Sequence, residues 1–111
     1  MSDRTAEQRF AVLAKRMTKA AGVTLGSGRR GFGSDALLVD GRIFAMVREE
    51  HLILKLPRER VSELLASREG APFDAGKGRP MKEWVMVPPT SDAQWLSLSK
   101  EARAFVAGDA R

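Results

Sequence analysis

The chain has 111 residues, 43% apolar and 30% charged, with no cysteine and a formal net charge of +5. That is the length of one domain with a core of its own and the balance of a globular rather than a disordered chain. The lack of cysteine excludes disulfides, thiolate metal sites, iron–sulfur clusters and cysteine nucleophiles. No apolar run approaches the ~20 residues that span a bilayer, and the opening MSDRTAEQRF has no signal-peptide core. The expectation is a single cytoplasmic domain over residues 1–111, away from membranes.

Residues 3–21 carry Ala6, Phe10, Leu13, Met17 and Ala20 at helical spacing. Ser2 or Asp3 is the expected N-cap, with Gly22 just past the end. At ~100° per residue, Arg4, Arg9, Lys15, Arg16 and Lys19 fall on one flank beside the apolar stripe. Val23 to Leu25 is a candidate edge strand. Gly26 to Ser34 (GSGRRGFGS) is a glycine-rich loop holding Arg29 and Arg30. It matches neither a phosphate loop nor a dinucleotide fingerprint, and a tight turn explains its glycines better than an anion site does.

Ala36 to Leu56 (ALLVDGRIFAMVREEHLILKL) holds three apolar runs separated by two polar breaks. Asp40-Gly41 is a strong hairpin signal, and Arg48 to His51 is a weaker one. The stretch reads as a three-stranded antiparallel meander. In its middle strand strict alternation puts Ile43, Ala45 and Val47 on one face and Phe44 and Met46 on the other. Both faces are apolar, so that strand is expected in the centre. Lys55, the only charge in the third run, is read as an edge or solvent-side lysine in preference to a groove contact.

Pro57 to Arg68 reads as a second helix, with Pro57 at its first position, Val61, Leu64 and Leu65 inward, and Gly70 ending it. Ala71 to Pro80 has no period and reads as a loop anchored by Phe73. Met81 to Val87 is the last strand, stopped by Pro88-Pro89. Ser91-x-x-Gln94 is a capping-box pattern. It opens a helix to about Ala107 with Trp95, Leu98, Ala102 and Phe105 on one face and Gly108 beyond. Trp84 and Trp95 both fall on apolar stripes and are expected in the core. The fold class is α+β: one antiparallel sheet, a meander plus a later strand, packed with about three helices.

Positive charge is unevenly spread. Residues 1–30 hold seven basic and two acidic side chains, and residues 31–111 hold twelve of each. Such a basic end serves either solubility or polyanion binding, and composition alone favours solubility. Read functionally, the phosphate contacts are Arg9, Lys15, Arg16, Lys19, Arg29 and Arg30, with no helix-turn-helix to read bases. A second polar stretch, Gly76 to Trp84, offers Lys77, Arg79 and Lys82. With Arg42 and Lys55, Lys77 and Arg79 would line a small-ligand or protein-binding pocket, Arg79 serving as a bidentate donor. Pinning of the loop by internal ion pairs is the more economical reading. Catalytic chemistry is thin. His51 is the only histidine, no Gly-x-Ser-x-Gly elbow is present, and the carboxylates are scattered. No catalysis, cofactor or metal is expected.

The ordered series Phe32-Gly33, Asp40-Gly41-Arg42-x-Phe44, Leu54-Lys55, Pro72-Phe73 and Gly78-Arg79-Pro80-Met81 resembles the N-terminal domain of the TfoX/Sxy competence regulators. That domain is related to the MmcQ/YjbR-like proteins, and the resemblance runs from about Gly31 to Val106. It implies a small α+β fold with an antiparallel sheet and no established enzyme activity, metal or cofactor. Family members include regulators of DNA-uptake genes, and DNA binding has been proposed for YjbR-like relatives. Full-length regulators carry a second, C-terminal domain; the expectation here is a stand-alone N-terminal one. The resemblance thus implies a non-enzymatic regulatory or interaction domain, with nucleic acid, a protein partner or a second copy of the chain as its partners.

Overall fold

A computed structural model describes residues 5–26, 36–48, 50–73 and 82–108. Helix α1 spans Ala6–Met17 and is capped by Thr5, whose hydroxyl accepts from the Gln8 amide while the Gln8 side chain accepts from the Thr5 amide. This complete capping box starts the helix at Thr5 in place of the expected Ser2 or Asp3, which lie outside the described residues. The helix ends at Met17 with Thr18 as its C-cap, well before Gly22. Gly22 (φ +80) instead turns the chain into strand β1, Val23–Gly26.

Strands β2 (Ala36–Val39), β3 (Arg42–Arg48) and β4 (His51–Lys55) form the meander, all antiparallel. Asp40 (φ +52) and Gly41 (φ +82) both take positive φ, the signature of a two-residue turn whose twist matches the flanking strands. Alternation along β3 is broken. Leu37 pairs with Ala45 but Leu38 pairs with Ile43, which leaves Phe44 as an extra, bulged residue. Phe44, Ala45 and Val47 therefore all enter the core, while Ile43 stays exposed. The expected grouping of Ile43 with Ala45 and Val47 fails for that reason.

Helix α2 spans Arg58–Ala66 with Pro57 as its N-cap, one position earlier than expected. It closes with Arg68 (φ +67): the Arg68 amide donates to Leu65 and the Glu69 amide to Leu64, a Schellman arrangement. The left-handed residue is thus an arginine and Gly70 lies beyond it. Ala71–Pro72, expected to be loop, forms a short strand β5 against β6, Trp84–Val87. Proline is tolerated there because β5 is an edge strand. Helix α3 spans Asp92–Ala107. Its Ser91 cap accepts from the Gln94 amide, and Gly108 is left-handed at its end. Only half of that expected capping box forms, since the Gln94 side chain bonds Glu69 and Thr90 instead.

The six strands form one open antiparallel sheet in the order β1-β2-β3-β4-β6-β5, with β3 and β4 central. The fold is α+β. Leu37, Ala45, Leu54 and Val85 are successive cross-strand partners and are fully buried. They share a core with Phe10 and Leu13 of α1, Val61 and Leu64 of α2, and Trp95 and Leu98 of α3, so the helices pack on this face. Each such fully buried Leu or Val contributes roughly 1.5–3 kcal/mol relative to exposure. Trp95 is core as expected, and its indole N–H donates to the Pro88 carbonyl at 2.9 Å. Arg60 of α2 grips Glu101 of α3 with two parallel hydrogen bonds of 2.9 and 3.2 Å. That contact, chiefly, holds the Arg60 guanidinium pKa above its usual value. Met46, Ile53 and Met86 line up on the opposite face.

Candidate anion-binding surfaces

Two surfaces gather cations, and the fold builds them in different ways. The first is the outward face of α1. Its inward stripe of Phe10, Leu13 and Met17 sets the helix rotation, which leaves Lys15, Arg16 and Lys19 exposed over its last turn and the residues beyond. The only acid of this helix, Glu7, sits in the first turn, roughly two turns before Lys15. Arg9 differs from the other three. Its guanidinium donates to the Asp92 carboxylate at the start of α3, and its side chain is 19% exposed. It tethers α1 to α3 on one wall of a shallow groove that also exposes Arg16 and Val12. Arg29 and Arg30 lie outside the described residues.

The second surface gathers around Lys55 and Trp84, which rise from the sheet face away from the helices, and it reaches round to Phe105 of α3. Lys55 and Trp84 are direct partners across the β4–β6 pairing, so their side chains rise side by side. The Lys55 ammonium lies 5.3 Å from the Trp84 ring centroid and 3.3 Å from the Glu83 carboxylate. Phe73 braces the other side of Trp84, with ring centroids 6.4 Å apart at 56°. Trp84 is thus half-exposed rather than core, and Lys55 sits inside the sheet rather than at its edge. β6 is the reason for both: it pairs with β4, not at the far side of the meander.

Around this pair the surface dips twice. An open cavity of about 580 Å³ is lined by Arg42, Ile43, Lys55, Trp84 and Phe105. Beside it, a second depression is lined by Lys55, Arg58, Lys82, Glu83 and Trp84. Four cations, Arg42, Lys55, Arg58 and Lys82, therefore border one half-exposed indole, and Glu83 of the second depression pairs with Lys55. Arg42 makes no ion pair among the described residues. Arg42 and Lys55 line one cavity, and Lys77 and Arg79 lie outside the described residues. The part played by Arg58 was not foreseen. It opens α2 three residues after Lys55, and the helix start carries no signal that it borders a sheet-face depression.

His51 is half-buried where β4 begins, opposite Arg48. Among the described residues no three His, Cys, Asp or Glu side chains are grouped to hold a metal ion. None of the described helices is long and apolar enough to cross a membrane.

Compared with known families, residues 12–105 match the model of the TfoX N-terminal domain. The chain belongs to that family. The match begins within α1, so the cationic helix is partly inside the family's domain. Searches of curated proteins and of solved structures gave no match.

Proposed function

We propose that this TfoX N-terminal domain is a non-enzymatic binding domain that holds nucleic acid through its phosphates, weakly and without reading sequence. One observation carries the proposal: Lys15 and Arg16 in the last turn of α1 and Lys19 two residues past its end all stand exposed, with no acid between residues 8 and 21. An ordinary solvated helix face intersperses both signs. A face of one sign attracts a polyanion by releasing its condensed counterions. No described element has the form of a base-reading helix pair, so affinity should depend on salt far more than on sequence. The family's link to regulators of DNA-uptake genes points the same way, as analogy only.

The test is fluorescence anisotropy with a labelled duplex of arbitrary sequence. Three phosphate contacts give a salt slope of about −2.7, so raising salt from about 50 to about 200 mM should weaken binding roughly 40-fold. Replacing all three cations (Lys15→Gln, Arg16→Gln and Lys19→Gln) should remove most of that dependence while circular dichroism stays unchanged. Equal affinity in the triple variant would overturn the proposal.

A second reading draws on the cavity of Arg42, Lys55 and Trp84: a module for a small anionic ligand or a protein partner. The cationic lining supports the sign of its charge. A ligand that binds this cavity, with no duplex binding at low salt, would favour this reading.

A further inference from the structure

The chain has two tryptophans, one locked in the core and one half-exposed beside Lys55 amid cations. Trp84 adds little to the helix-side core, where Val85 and Val87 of the same strand are fully buried. Its indole stands between two depressions of unlike character. The larger is walled by Ile43, which is 40% exposed, by Phe105 and by the ring itself, with Arg42 at its rim. The smaller is cationic, with Lys55, Arg58 and Lys82 against, among the described residues, the one carboxylate of Glu83. A flat apolar place beside a cluster of positive charge matches one kind of occupant, an aromatic ring joined to phosphates.

We propose that this face binds an unpaired nucleotide of a single-stranded nucleic acid, its base against Trp84 and Ile43 and its flanking phosphates on Lys55, Arg58 and Lys82. The inference rests on the nucleic-acid reading above and adds the strand state and a second site. Lys55 now lies over the indole and is held by Glu83. Both contacts are half-exposed, and a phosphate is a stronger partner for the ammonium than a solvated carboxylate. When Lys55 turns to the phosphate, the ring face it covered becomes available to a base. Stacking on an exposed aromatic is indifferent to base identity, because every base has a π-face. A duplex hides its bases in the stack and can offer this surface phosphates alone.

The experiment compares a labelled oligothymidylate of about 15 nucleotides with a duplex of equal length and with adenosine monophosphate, using the whole chain. Anisotropy gives affinity, and intrinsic fluorescence gives contact. Trp95 is 1% exposed and insulated, so quenching by the strand reports Trp84. The expected result is a single strand that binds tighter than the duplex and quenches emission. In Trp84→Leu, single-strand affinity should fall about 5- to 150-fold, the measured range for one stacked base, with duplex affinity unchanged. Trp84→Phe should keep most of it. Should Trp84→Leu prove unstable, Lys55→Gln/Arg58→Gln/Lys82→Gln changes exposed or half-exposed residues only, and it should lower the single-strand salt slope by about 2. Equal affinities for strand and duplex, with both variants unchanged, would overturn this inference and leave the duplex reading standing. Absence of all nucleic-acid binding at low salt would overturn both. Adenosine monophosphate binding as tightly as the strand would replace the strand with a free nucleotide.

Discussion

Gly70 links α2 to β5 and passes against the middle of β6, and the closeness of that passage can be measured by mutation. A Cβ placed on Gly70 would stand 2.6 Å from Val85 Cγ2, 3.3 Å from the Met86 carbonyl oxygen and 3.4 Å from Leu64 Cβ. Carbon atoms in contact sit at about 3.5–4.0 Å, so the Val85 methyl would have to move by roughly 1 Å. It has nowhere to go. Val85 is fully buried and pinned by pairing to both Leu54 and Pro72. Overpacking of this kind costs about 1–3 kcal/mol. Gly70 does not have positive φ, so alanine also gains about 0.4–1 kcal/mol by restricting the unfolded chain. Gly70→Ala should therefore destabilise by about 1–2 kcal/mol. Val85→Ala removes two buried methyl groups and should cost about 2–3 kcal/mol. In the double variant the new methyl enters the space that Cγ2 left. The two costs should then fall short of their sum by at least about 1 kcal/mol. Urea unfolding followed by circular dichroism measures all four corners of the cycle. Additivity within about 0.5 kcal/mol would refute the claimed contact, since that is how uncoupled sites behave.

Other substitutions test other features of the fold. Arg68 occupies the left-handed region at the end of α2, which costs a non-glycine residue about 1–2 kcal/mol. Arg68→Gly should raise the unfolding free energy measured in urea by up to about 1 kcal/mol after glycine's own entropic cost, and a fall would show the side chain to be stabilising. Ser99 is fully buried in α3 with no partner for its hydroxyl among the described residues. Ser99→Ala should be neutral or stabilising by about 1 kcal/mol in the same assay, whereas a loss would mean that the hydroxyl is satisfied. Asp92→Asn should release Arg9 from α3 and strengthen low-salt duplex binding several-fold by anisotropy, and weaker binding would mean that Arg9 acts only as a tether.

Local signals were the legible ones. Asp40-Gly41 announces its turn because few dipeptides accept two positive φ values, and Ser91 announces α3 through a hydroxyl within reach of an amide three residues on. Thr5-x-x-Gln8 fits the same rule, but Ser2 and Asp3 just before it are equally good caps by residue type, so the sequence offers three starts for one helix. The bulge at Phe44 was not legible, since strict alternation is the only assumption that a run of apolar residues allows. Nor was β5: two residues, one of them proline, form a strand only because β6 is there to receive them. The family resemblance located the domain, and the matched family model extends it into α1. The site pairings were the least legible. Arg9 and Asp92 are 83 residues apart, and Lys55 and Glu83 are 28 apart. Nothing in either segment names the other.

The positions of the two cationic surfaces follow from the same topology. α1 leads into β1 through Gly22, whose carbonyl accepts from the Asp40 amide at 3.1 Å. Arg103 near the end of α3 donates to the neighbouring Ala21 carbonyl at 3.3 Å. The end of α1, the β2–β3 turn and the last turns of α3 therefore meet at one end of the molecule. Lys19 lies just before that junction. Arg42 lies just after it, where β3 departs toward the cavity that Phe105 of α3 helps to wall. The cationic last turn of α1 and the cavity walled by Arg42 and Phe105 therefore lie toward the same end of the molecule. A polyanion held by α1 would thus leave the helix beside the residues that open onto Trp84. The charge excess of the N-terminal segment and the neutral balance of the rest are properties of the sequence. Their meeting is a property of the antiparallel order, which returns β3 to the end where α1 stops.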